Sequence, residues 1–74
     1  MNIVMFNRIA EIFLNSQLPE GITLGEVHNQ LRALTEDEVK AAQERARKEG
    51  YTDENIAEFQ IDVMQAVMQN SFGL

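Results

Sequence analysis

The chain has no cysteine and no tryptophan, and only one proline, one tyrosine and one histidine among its 74 residues. Without cysteine there can be no disulfide and no thiolate zinc site, and a single imidazole cannot anchor a metal cluster. The lack of cysteine also fits a cytoplasmic protein. No apolar run approaches the roughly 18 residues of a membrane span. The N-terminal "MNIVMFNRIAEIF" has neither a basic leading region nor a small-residue cleavage site, so no signal peptide is expected, and Glu11 counts against a transit peptide. Positive charge is scarce too. Six Lys/Arg stand against twelve Asp/Glu, a net charge of −6. That sign repels nucleic acid at long range and favours basic partners.

What is present is helix-forming sequence, enough for one domain over residues 1–74. A domain of this size buries only about 60% of its unfolded surface, so oligomerisation or a bound partner is an expected source of extra stability. The pattern predicts an all-α, compact four-helix domain with a helix-turn-helix-like core and no wing. Its helices are expected at about residues 3–15, 24–33, 36–49 and 53–70. In the first, Met5, Ile9, Ile12 and Phe13 share a face with Phe6 beside them, leaving Asn7, Arg8 and Glu11 outward. Pro19 and Gly21 break it. Thr23 with Glu26, and Thr35 with Glu38, have capping-box spacing, in which each side chain satisfies a backbone N–H at the helix start. The second helix is expected to bury Leu24, Val27 and Leu31, and the third Val39, Ala42 and Ala46. Gly50 stops the third, and Thr52 with Asp53 and Glu54 starts the fourth. The final "SFGL" reads as a loosely held tail.

The fourth helix carries more apolar surface than one neighbouring layer needs. Ile56, Ala57, Phe59, Ile61, Val63, Met64, Ala66, Val67 and Met68 spread over roughly 220°. Glu54, Glu58, Asp62, Gln65 and Gln69 fill the opposite stripe, and Gln60 alone interrupts the apolar arc. Either this helix is central and wrapped by the other three, or one side of it, Ile61, Met64 and Met68, faces a second subunit or a partner. Methionine suits such a face because its flexible thioether repacks readily.

Catalytic chemistry has little to work with. His28 lies off the Leu24/Val27/Leu31 stripe and reads as a solvated side chain. There is no glycine-rich phosphate loop and no metal-binding motif. Asp53, Glu54, Glu58 and Asp62 could supply carboxylates to a cation, but calcium loops bend through a glycine and these acids sit on a helix. No enzyme activity, metal or cofactor is expected.

Helices two and three have the length and spacing of a helix-turn-helix pair. The outward face of helix three would show Lys40, Gln43, Glu44 and Arg47. A DNA-reading face gains affinity by neutralising phosphates, and Glu44, Glu36 and Asp37 work against that. Residues 9–51 resemble winged-helix domains, most closely the C-terminal domain of the middle subunit of replication protein A. The resemblance rests on "PEGI" (Pro19–Ile22), "NQL" (Asn29–Leu31), Lys40, Ala42, "EG" (Glu49–Gly50) and the apolar positions Ile9, Ile12, Phe13, Val27 and Val39. It implies a tri-helical core that docks protein partners and need not touch DNA. Gln43 and Arg45 depart from it, standing where that family tends to place apolar residues. So does the chain after Gly50, which enters a helix where the family builds a β-hairpin wing.

The favoured expectation is a small acidic, non-enzymatic protein–protein interaction module of the kind used by phage-type inhibitors and DNA mimics. Asp53, Glu54, Glu58 and Asp62 would face a basic site on the partner, and Ile61, Met64 and Met68 an apolar partner or dimer surface. The alternative is a dimeric helix-turn-helix regulator that contacts DNA through Lys40, Gln43 and Arg47. A homodimer is possible, a stable one favouring the regulator and a clean monomer the interaction module, and no membrane partner is expected.

Overall fold

Helix starts and stops written into the chain set its architecture. The computed structural model describes residues 2–72, with the backbone alone at 66, 67 and 69–72. It contains α1 (Ile3–Leu14), α2 (Leu24–Arg32), α3 (Glu36–Lys48) and α4 (Asp53–Phe72), and no strand among the described residues. The all-α, four-helix expectation holds. The bounds agree within a residue or two, and α4 runs past Asn70 to Phe72 because no proline or glycine intervenes before Gly73. Gly73 and Leu74, the rest of the expected tail, lie outside the described residues.

Each helix start is satisfied by a side chain. The Asn2 Oδ1 accepts the Met5 N–H at 3.1 Å and opens α1. At α3 the box closes both ways: Glu38 N–H donates to Thr35 Oγ1 at 3.2 Å, and Thr35 N–H donates to Glu38 Oε1 at 2.9 Å. The bond from the Thr35 backbone, and then that with its hydroxyl, hold the Glu38 carboxyl below the usual carboxylate range. Thr52 and Asn55 form the same reciprocal pair at the head of α4, at 3.0 and 3.1 Å. The expected box at α2 is only half made. Thr23 Oγ1 accepts the Glu26 N–H at 3.1 Å, with no return bond from Glu26 among the described residues.

Two helices end in left-handed turns. Gly50 has φ 103°, and the Tyr51 N–H reaches back to the Ala46 carbonyl at 3.1 Å while Gly50 N–H reaches Arg47 at 3.0 Å. This is the Schellman arrangement, which consumes carbonyls that a helix end leaves unpaired. α1 ends the same way on Asn15, at φ 56°, with Ser16 N–H on the Glu11 carbonyl at 3.2 Å. Asparagine tolerates that conformation better than most residues.

The core is apolar throughout. Phe6, Ile9, Ala10, Ile12 and Phe13 of α1 meet Val27 of α2, Ala42 and Ala46 of α3, and Ile56, Phe59 and Val63 of α4. Phe59 is its centre, with ring centroids 5.0 Å from Phe6 and 5.3 Å from Phe13 in tilted contact. Leu31 and Val39 are partly buried against this cluster. Leu24 is not buried as expected. It occupies the first helical position, a turn before Val27 meets the core, and remains 43% exposed. His28, expected in solvent, is half-buried.

Packing runs mainly between α1 and α3 and between α2 and α4, while the Cα atoms of α2 and α3 stay more than 8 Å apart. That separation leaves an opening over the core, described below. α4 outruns its neighbours: 20 residues make about 30 Å of helix, and the next longest helix has 13 residues. Beyond Val63, every described α4 side chain is exposed.

Candidate protein-docking surface

α4 has three distinct faces. At about 100° per residue, Ile56, Phe59 and Val63 fall together on the core side. Nearly opposite them lie Ala57, Ile61, Met64 and Met68, spaced four, three and four residues apart. Ile61 is 54% exposed, Met64 64% and Met68 52%. These are three of the six large apolar side chains that stand exposed among the described residues. α4 is therefore not wrapped by the other three helices, as the first of the two sequence expectations had it. Even in the first half of α4, within reach of the shorter helices, Ala57 and Ile61 are exposed. The side chains of Ala66, Val67 and Gln69 lie outside the described set.

The acids flank this apolar stripe on one edge. Glu54 and Glu58 are exposed and Asp62 is half-buried, and none of the three is paired with a cation among the described residues. Asp53 stands apart from them. Its Oδ1 accepts the Arg47 Nε–H at 2.6 Å, so it helps fix α3 to the start of α4. The four acids grouped by sequence thus split into one structural ion pair and three free carboxylates.

The same ion pair engages one of the three side chains proposed to read DNA. Lys40 lies 3.9 Å from Glu36 on its own helix, and Gln43 is half-buried beside the core. Lys40 and Arg47 therefore each already lie against an acid that competes with phosphate.

Arg8 and Arg45 are structural as well, while Arg32 is exposed and makes no ion pair among the described residues. Arg8 donates from Nε and Nη2 to Glu49 Oε1 at 3.1 and 2.6 Å, joining α1 to the end of α3. This bond, then the Glu49 charge, pushes the Arg8 guanidinium above its usual value. Arg45 Nη2 donates to the Ile12 carbonyl at 2.9 Å. α1 has no basic residue in its last turn, and Arg45 brings a cation to the negative end of that helix from α3.

One feature was not visible in the sequence. Between α2 and α3 the core surface opens into an apolar cleft of about 160 Å³, lined by Phe13, Leu31, Leu34, Val39, Phe59 and Val63, with Gln60 at its edge. Around α4, Gln60 lies between Val63 of the cleft and Met64 of the exposed stripe, so the two features meet only at that edge. Among the described residues no group of three or more His, Asp or Glu side chains could hold a metal ion, and no helix is long and apolar enough to cross a membrane. Comparison with protein-family models, with characterised proteins and with solved structures gives no match.

Proposed function

We propose that this chain is a small, non-enzymatic, cytoplasmic protein-interaction module that sets the acidic edge of α4 against a basic surface of another protein. Inhibitors that mimic DNA use the same chemistry at sites built for nucleic acid. The observation that carries the reading is that Glu54 and Glu58, unpaired among the described residues, lie directly beside the exposed stripe of Ile61, Met64 and Met68, with unpaired Asp62 further round the helix. Apolar contact supplies most of the affinity in such a pair, and the acids supply steering and orientation. The likeness of residues 9–51 to a partner-docking winged-helix domain points the same way. The regulator alternative would have to break the Arg47–Asp53 pair to free Arg47 for phosphate.

Affinity capture with the full chain, run beside Glu54→Gln/Glu58→Gln/Asp62→Asn bait, tests this. The wild type should retain proteins with basic, nucleic-acid-binding surfaces, and the variant should lose them as high salt does. Captured partners that hold both baits equally at low and high salt end the acidic-face reading. Retardation of random duplex DNA by tens of micromolar protein at low salt would favour the regulator.

A further inference from the structure

Ala57, Ile61, Met64 and Met68 follow one another at four, three and four residues, the spacing of seam positions in a two-stranded helical pair. All four are exposed. The strip they form spans about 16 Å of α4, and Met64 and Met68 stand beyond Val63, the last buried residue described in that helix. In such a pair the knobs of one helix enter the holes of the other, so the strip is completed by a second helix of the same spacing.

Charge decides how a second α4 would lie. On the edge beside the strip, Glu54 and Glu58 stand in the first part of the helix and the exposed, neutral Gln65 in the second, and no acid follows Asp62 in the chain. Laid antiparallel, with Ile61 level with Met64 of its mate and Ala57 level with Met68, each helix sets its Glu58 beside the other copy's Gln65. The two Glu58 residues are then about 13 Å apart along the axis, beyond the roughly 8 Å over which exposed charges interact at physiological salt. Parallel pairing would instead bring Glu54 of both copies together at the seam. Antiparallel order is thus the one in which two acidic helices can meet.

We infer that the strip is covered by the same strip of a second copy of this chain, in an antiparallel pair centred between Ile61 and Met64. The acidic edges of both copies then lie on one side of the seam. A seam of about three turns holds a pair in exchange with its monomers, unlike the stable dimer expected of a DNA-reading regulator. The strip serves one occupant at a time, so the pair is the form of the free chain, and a partner that uses the strip displaces the second copy. This goes beyond the acidic-face reading and does not rest on it.

Sedimentation velocity of the full chain should show monomer giving way to dimer between micromolar and millimolar concentration. Met64→Lys, at an exposed position, should stay monomeric and keep its melting temperature at low concentration. Gln65→Lys should tighten the dimer several-fold at low salt, because the symmetry turns one substitution into two contacts with Glu58, and the gain should fade at high salt. The chain has no cysteine of its own, so Ala57→Cys and Met68→Cys report the register. Mixed together and treated with a short bis-maleimide, the two variants should form a covalent dimer. Neither should do so alone, since its own thiols lie about 16 Å apart along the axis. A chain that stays monomeric to millimolar concentration, a dimer that Met64→Lys leaves intact, or Ala57→Cys linking to itself as readily as to Met68→Cys overturns the inference. Salt-sensitive capture of a basic partner is open to a monomer as well, so the acidic-face reading is decided by its own experiment.

Discussion

Phe59 is the residue on which the fold leans most, and replacing it by leucine measures how much. The side chain is 2% exposed and contacts two phenylalanines at 5.0 and 5.3 Å. Alanine at this position would remove about 3–5 kcal/mol, comparable to the lower end of the roughly 4–11 kcal/mol available to a chain of this length. That variant would unfold or nearly so and report little. Leucine keeps most of the volume and removes both ring–ring contacts, each worth about 0.5–1.5 kcal/mol beyond burial. The expected loss is about 2 kcal/mol, a drop in melting temperature of roughly 8–16 °C for a domain of this size. Thermal and urea unfolding followed by circular dichroism reads it directly. A double-mutant cycle with Phe6→Leu should return a coupling of about 0.5–1.5 kcal/mol. If Phe59→Leu melts within about 2 °C of wild type, or the cycle shows no coupling, the aromatic cluster is not what holds α4 to α1.

Two further substitutions probe the polar joints. Arg45→Met keeps the aliphatic stem and removes the bond to the Ile12 carbonyl. It should cost about 1 kcal/mol in urea unfolding, and a neutral result would mean that water satisfies the end of α1 equally well. Glu38 has a folded pKa below its unfolded one, so its contribution is present above about pH 4.3 and disappears as pH falls through the lower folded value. The stability gap between wild type and Glu38→Gln should therefore be largest near neutral pH and shrink in acid, and a gap that is flat with pH would contradict the capping-box account.

Much of this architecture was legible in the sequence because the signals are local. Thr35 with Glu38, Thr52 and Gly50 mark helix ends through bonds to residues at most four or five positions away. The α1 face was readable from its period for the same reason. Periodicity could not say which part of the wide α4 arc would be covered. Ile56 and Ile61 are equally apolar, and only the placement of α1 and α2 buries one and exposes the other. The arginines show the same limit. Arg8 finds Glu49 41 positions away, and Arg45 finds the Ile12 carbonyl 33 positions away. The split of Asp53 from Glu54 and Glu58 follows from where Arg47 comes to rest. The cleft exists only because two consecutive helices stay apart, a tertiary fact with no local mark.

The joints between these helices also have a kinetic consequence. α2 to α3 and α3 to α4 are linked by three and four residues, so most close contacts join positions near one another in the chain. Helical domains of such low contact order fold in about microseconds to milliseconds. A chain that recloses that quickly, on a modest reserve of stability, opens and reseals many times before a protease can cut it. Its lifetime is then governed by the fraction of time spent open, and a bound partner lengthens that lifetime simply by lowering the fraction.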